Sequence, residues 1–301
     1  MSYLCAVSSP LRQSLLVIAA LFACGDDTTS PVITTEAGDR GILFTSARRG
    51  NFDIYLMDSD GAGPVFLTSH TASDQNADWA PNGSTIAFMS NRDGDFEIYV
   101  MLINGSGLRQ LTSNSTQDGF PLWSPDGTRI LFTSMRDGNL EVYVMGADGS
   151  NPTRLTNNPD EDIGGAWSPD GSRIAFVSGI GSNREVFVMR ADGTDPVRIT
   201  NNGEFEGHQL GWSADGSKIV FYSLRGANRE IVVMSADGTG PTVVTNHDAQ
   251  DLYPTWSPDG SRIAFTTNRD GDDEIYVMNA DGTGLVRLTT SPGLDVLDAW
   301  R

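Results

Sequence analysis

Five aspartates each stand five residues ahead of a tryptophan: Asp74, Asp118, Asp162, Asp251 and Asp295, before Trp79, Trp123, Trp167, Trp256 and Trp300. Ahead of Trp212 one extra residue intervenes, and Glu206 stands six before it. Carboxylates at one position of a repeated unit converge if the units close on themselves. They would then form an acidic ring at the mouth of a central channel. Two carboxylates ~10 Å apart at an effective dielectric of ~20 repel by roughly 1.7 kcal/mol. A bound cation, Ca2+ among them, or a basic peptide would relieve that repulsion. The same residues also admit a local role, in which each accepts backbone N–H bonds and shapes its own loop.

A second acidic column comprises Asp53, Glu97, Glu141, Glu185, Glu230 and Glu274. Five residues earlier stand Arg48, Arg92, Arg136, Arg225 and Arg269, with Ile180 as the exception. An acid and a base at the two ends of one short loop are expected to pair across it. The segments 91–97 and 268–274 are acidic enough to echo calcium loops in composition, but they lack the twelve-residue EF-hand spacing. His70, His208 and His247 fall in corresponding connections, where solvated loop histidines are expected. A metal shared among them would support the alternative of a metal-assisted lyase or hydrolase acting on an envelope or extracellular polysaccharide. No Gly-x-Ser-x-Gly elbow, His-Glu-x-x-His, phosphate loop or cysteine pair is present.

The elements that must position these side chains are legible from the tryptophans. They are spaced 44, 44, 45, 44 and 44 residues apart from Trp79 to Trp300. Trp-Ser-Pro-Asp-Gly recurs at 123–127, 167–171 and 256–260, with looser copies at 79–83 and 212–216. A fixed period in the low forties, built of short strands, is the signature of a β-propeller. In each unit strand A ends at the tryptophan and Pro-Asp-Gly makes the A–B turn. An apolar strand B and a β-branched, aromatic strand C follow. An Asp-Gly or Asn-Gly turn then leads to strand D. Residues Ile42–Thr68 supply strands B, C and D with no tryptophan before them. Leu294–Trp300 reads as the missing strand A. The expected fold is all-β, a six-bladed propeller of four-stranded blades, closed where the C-terminal strand joins the N-terminal blade. Closure pairs edges that an open sheet leaves bare.

The repeat Trp-Ser-Pro-Asp-Gly, Arg-Ile-Ala-Phe, Arg-Asp-Gly and Glu-Ile-Tyr-Val-Met resembles the WD-like propeller repeats of the TolB family, over residues 41–301. The resemblance implies a propeller that captures peptide segments at its channel mouth. It does not extend to the α/β domain that precedes the propeller in TolB itself. Fold alone does not fix activity.

Composition narrows the partners. The formal charge is −19 and the pI about 4.3. Such an acidic chain excludes nucleic acid as a ligand and disfavours direct docking on an anionic membrane. Basic or disordered segments of an envelope protein fit it, on a non-catalytic, monomeric binding module. Residues 1–23 read as a lipoprotein-type signal peptide. The run Leu15–Ala23 behind Arg12 is too short to span a bilayer. Leu21-Phe22-Ala23-Cys24-Gly25 resembles a lipobox, in which Cys24 would carry lipid and be the membrane's only hold on the protein. Residues 24–40 suit a flexible tether, and 41–301 form the propeller. The expected location is the bacterial envelope, as a periplasmic or outer-membrane lipoprotein.

Overall fold

The computed structural model describes residues 40–181 and 183–301; the signal segment, Cys24 and the tether up to residue 39 lie outside them. Six four-stranded antiparallel sheets are present. Blade 1 takes its strand A from the far end of the chain: Asp295–Trp300 pairs with Arg40–Ser46, which pairs with Asp53–Asp58 and then Val65–Phe66. Ile42 faces Trp300 and Ser46 faces Asp295 in that register. Blades 2 to 6 run in sequence order, with strands A beginning at Asp74, Asp118, Glu161, Gly211 and Asp251. The ring therefore closes at the seam expected from sequence.

Five blades share one internal logic, in which a phenylalanine of strand B packs on an aromatic of strand C, as in Phe88–Tyr99 and Phe132–Tyr143; in blade 5 Phe221 faces Val232 instead. Strand D is cut to two residues in every blade, which leaves little edge for intermolecular pairing. The tryptophans join neighbouring blades. Trp79 Nε1 donates to Gly41 O of blade 1 at 3.1 Å, and Trp212 Nε1 to Ala166 O of blade 4 at 3.0 Å. An arginine at the start of the preceding strand B lies over the indole, Arg129 over Trp167 and Arg173 over Trp212. Such stacking on a buried indole adds cation–π attraction to the hydrophobic gain.

Strand A, the innermost, is not regular. The A–B register slips between Gln75 and Asp78, Gly119 and Leu122, Ile163 and Ala166, and Leu252 and Thr255. Each bulge sets one residue in the left-handed region: Asn76 at φ 52°, Phe120 at 55°, Gly164 at 67° and Tyr253 at 54°. For bulky Phe120 and Tyr253 that conformation is unusual and costs of order 1–3 kcal/mol. The freed N–H of the bulge is taken up by a threonine of the preceding blade, Thr45 for Asn76 and Thr133 for Gly164. The bulges turn this row of side chains toward the propeller axis.

The acidic columns and the channel

The first acidic column lies at the start of strand A in four blades, one place inside it as Asp162 and ahead of it as Glu206, and all six carboxylates are buried with no solvent exposure. Each stands opposite the last polar residue of strand B, Asp74 facing Ser90 and Asp118 facing Ser134. Glu206 keeps this place despite its offset, bridging to Ser223. Four of the six are neutralised by the loop arginines: Arg48–Asp295 at 2.7 Å, Arg92–Asp74 at 2.9 Å, Arg136–Asp118 at 2.6 Å and Arg269–Asp251 at 3.0 Å. Those guanidiniums also lie over the strand B and C rings; Arg136 is 5.3 Å from the Phe132 centroid and 4.9 Å from that of Tyr143. Asp162 is held by Asn158 at 2.6 Å and Glu206 by Asn202 at 2.8 Å. Burial raises the pKa of both. The six take corresponding places in their blades. They face their own blades rather than solvent.

This pairing corrects one expectation. The loop arginines reach back to the strand A acid of their own blade, not to the second column. A B–C loop wraps its arginine under the loop, where the aromatic floor and the buried carboxylate wait. The second column has other partners. Thr156, Thr200 and Thr289 donate to Glu141, Glu185 and Glu274. Arginines of strand D, Arg154, Arg198 and Arg287, close the same three glutamates. Asp53 and Glu97 have no such arginine. Burial, with Asp74 and Asp118 respectively adding repulsion, lifts them to about 6 and about 7. In the acidic loops that echo calcium sites, Asp93 accepts from Gln110, and Asp270 accepts from the Tyr276 hydroxyl and Arg287. Among the described residues no three histidine, cysteine, aspartate or glutamate side chains converge as a metal site.

The histidines divide. His70 and His247 are exposed, and each accepts a backbone N–H of its own loop through Nδ1, from Ala72 and Ala249. His208 is not a solvated loop residue. The extra residue before Trp212 leaves a strand A of only Gly211–Trp212, and the surplus chain runs inward along blade 4. Gln209 bridges to Gly165, and a Cβ on Gly164 would lie 2.3 Å from the His208 carbonyl oxygen. Only a glycine permits that approach. The His208 ring thereby reaches Phe120 of blade 3, with centroids 4.9 Å apart, and also meets Tyr222 and Tyr253. Burial, with a smaller contribution from Arg184, holds its pKa down to about 4.

Phe120 and His208 of this group line a channel cavity of about 130 Å3, to which all six blades contribute residues from strand A or, in blade 5, from just before it. Two carboxyls enter it from neighbouring blades, Asp78 and Asp298. Asp78 accepts Trp123 N at 2.7 Å; Asp298 accepts the Thr45 hydroxyl at 2.9 Å and the Asn76 and Ala77 amides. Both are half-buried, and withdrawal from bulk water lifts each to about 7, with Asp78 adding a smaller repulsion at Asp298. Sequence reasoning missed them. The available signal was a charge one or two places before the tryptophan, where other units carry Leu122, Ala166, Thr255 or Pro121, Gly165, Pro254. A cavity this small admits a side-chain tip or a few waters; small-molecule sites usually run to about 300–1,000 Å3.

Comparison with known proteins agrees with the architecture. The family described as TolB beta propeller domain matches residues 109–246 and 204–301, together more than half of the chain. No curated protein matches. Among solved structures, TolB from Acinetobacter baumannii is 24% identical with a TM-score of 0.76, covering 87% of this chain and 67% of its own. Putative TolB from Agrobacterium tumefaciens is 20% identical with a TM-score of 0.68, covering 87% and 91%. Hydrazine synthase of Kuenenia stuttgartiensis is 18% identical with a TM-score of 0.70, covering 86% of this chain and 47% of its own. At these identities the likeness is one of fold. Among the described residues no helix is long and apolar enough to cross a membrane. Repeat, ring closure and family match together place this chain in the TolB beta-propeller family.

Proposed function

We propose that the protein is a non-catalytic binding propeller of the bacterial envelope, which takes a basic side chain of a protein or peptide partner into its channel. The observation that carries this reading is the pair Asp78 and Asp298, two carboxyls with pKa values near 7 in one small cavity. A lysine or arginine tip would bring a charge that both carboxyls lack, and its volume suits the space. The buried column Asp74, Asp118, Asp162, Glu206, Asp251 and Asp295 holds the D–A loops in register around the mouth. In this reading the column shapes the binding face, and the channel acids make the charged contact. A divalent cation such as Ca2+ would compete for the same pair.

The test is calorimetric titration with a lysine-rich peptide and, separately, with CaCl2. Affinity for the peptide should rise between pH 6 and pH 8, because the cation binds the ionised carboxyls. It should fall with salt, since the Debye length drops from ~8 Å near physiological ionic strength to ~3 Å at 1 M. Asp78→Asn with Asp298→Asn should weaken binding at least tenfold. Asp118→Asn with Asp251→Asn should act mainly through loop order. A folded channel double variant that binds as the parent does would remove the basis of the proposal.

Envelope attachment belongs to the same proposal. Cys24 lies outside the described residues, and its support is the lipobox-like sequence alone. Labelling with a palmitate analogue should mark the parent and not Cys24→Ala. Unchanged membrane partitioning of that variant would count against the anchor.

A further inference from the structure

Because six copies of one unit share this chain, each blade can be read against the others. In blades 3, 4 and 6 a strand D arginine lays its guanidinium on the strand C glutamate. Arg154, Arg198 and Arg287 place Nη2 at 2.5, 2.6 and 3.0 Å from Oε1 of Glu141, Glu185 and Glu274. Their Nε groups donate to the carbonyl oxygens of Thr156, Thr200 and Thr289 at 2.6, 2.7 and 2.6 Å. The threonine hydroxyl completes the cradle on Oε2.

Blade 5 keeps the cradle and lacks the arginine. Glu230 is buried, Thr245 donates to its Oε2 at 2.6 Å, and His247 N approaches Oε1 at 3.3 Å. The strand D residue is Val243, which pairs with Val232 in the register where Arg154 pairs with Tyr143 and Arg198 with Phe187. The place left over is an open surface cavity of about 430 Å3, lined by Glu230, Val243, Thr245 and His247 among others. The other two arginine-free blades fill theirs. In blade 1 Phe66 takes the strand D position, with Arg49 stacked over its ring at 4.3 Å. In blade 2 Gln110 takes it and bonds Asp93.

We propose that the blade 5 cavity is a socket for the guanidinium of a partner's arginine side chain. The incoming group would donate from one terminal nitrogen to Glu230 Oε1 and from a second nitrogen to the Thr245 carbonyl, reproducing the contacts made internally in three sister blades. The fork geometry selects guanidinium over ammonium, because one planar group must span a carboxylate and a carbonyl. Arg225 stands on the rim of the same cavity and is the internal competitor. The socket does not depend on the channel reading.

The experiment titrates the full-length protein with N-methylguanidinium and with methylammonium, following amide shifts of residues 228–248. Methylguanidinium should bind at least tenfold more tightly than methylammonium. Val243→Arg installs the residue that three sister blades carry; it should raise the melting temperature and reduce methylguanidinium affinity at least tenfold. Glu230→Gln should lose the same affinity without the gain in stability, and it carries the test if Val243→Arg does not fold. Arg225→Ala should leave binding intact or tighten it. Asp78→Asn with Asp298→Asn should leave these shifts unchanged. The proposal is overturned if the parent shows no shifts there, if methylammonium binds equally well, or if binding survives both Val243→Arg and Glu230→Gln.

Discussion

The hydroxyl of Thr45 lies 3.0 and 2.9 Å from the two carboxylate oxygens of Asp298, a contact across 253 residues of sequence. Thr45 belongs to the first described strand and Asp298 to the last. Thr45 Oγ1 also receives the Asn76 amide of the next blade at 3.3 Å. One hydroxyl thus ties together the seam, a channel carboxyl and a strand A bulge. In this fold the closure of the ring and the polarity of the channel are the same set of contacts.

Removing residues 294–301 should therefore open the ring and strip the channel of Asp298 together. Leu297 and Trp300 are buried against blades 1 and 6, so even Trp300→Ala should cost about 3–5 kcal/mol, the usual range for a buried tryptophan. Thermal melting of the truncated chain should come many degrees below the parent or lose cooperativity. Equal melting would mean that the seam strand is dispensable.

Stability should rise as pH falls from 8 to about 5.5. Asp78, Glu97 and Asp298 sit near 7 and Asp53 near 6, while unfolded carboxyls titrate near 4. Between those values the folded chain holds protons that the unfolded chain has released, so stability falls as pH rises through the window. His208 works the other way, because the unfolded imidazole takes a proton that the folded one refuses until about pH 4. It offsets one of the four carboxyls. Below pH 4 the turn aspartates Asp126, Asp170, Asp215 and Asp259, held to about 2 by their serine and backbone donors, begin to lose their contribution. Melting curves at pH 5.5 and 8 decide the sign, and Asp78→Asn with Asp298→Asn should remove most of the difference, because two of the three carboxyls near 7 are lost while the opposing His208 stays. A parent that melts higher at pH 8 would contradict the burial argument.

The ring was legible because its determinants are local and repeated. Trp-Ser-Pro-Asp-Gly encodes a turn, and the gap before Ile42 matches the surplus at Trp300. The repeated placement of the acids, one per blade, was legible for the same reason. What those acids meet was not. Whether Arg136 reaches Asp118 or Glu141 depends on how the B–C loop folds beneath itself, and a spacing of five residues fits both. Asp78 and Asp298 were hidden because they break a column only when compared with Leu122 and Ala166 or with Pro121 and Gly165. His208 was hidden because an inserted residue has no counterpart in the other units. Its position is set by Gly164 and Gly165 in a different blade.

Arg136→Ala should be more damaging than its partial exposure suggests. It leaves Asp118 buried beside Glu97, with Asn114 as its remaining side-chain donor at 2.8 Å. Stranding a buried charge typically costs about 3–5 kcal/mol. Asp118→Asn combined with Arg136→Ala should recover a good part of that loss, since no ion is stranded. Urea denaturation of the two single variants and the double variant measures the coupling. Simple additivity would mean that the pair stabilises nothing in particular.

Phe120→Ala should unseal His208. The imidazole is held to about 4 chiefly by burial, and Phe120 is the ring nearest to it, at 4.9 Å. Removing that ring admits water into the channel, so the histidine should titrate closer to the ordinary value of about 6.5. Arg184→Ala removes the lesser cause and should move it less. Proton NMR of the imidazole CεH resonance across pH 3 to 8 reads all three proteins, with the exposed His70 and His247 as internal comparisons. Phe120 is only partly buried, so the stability loss of Phe120→Ala should fall below the roughly 3–5 kcal/mol of a fully buried phenylalanine, while the alanine, which keeps its Cβ, stays strained at this left-handed position. If His208 titrates in the parent near the ordinary value of about 6.5, the channel is open to bulk water at that level and the aromatic seal does not exist.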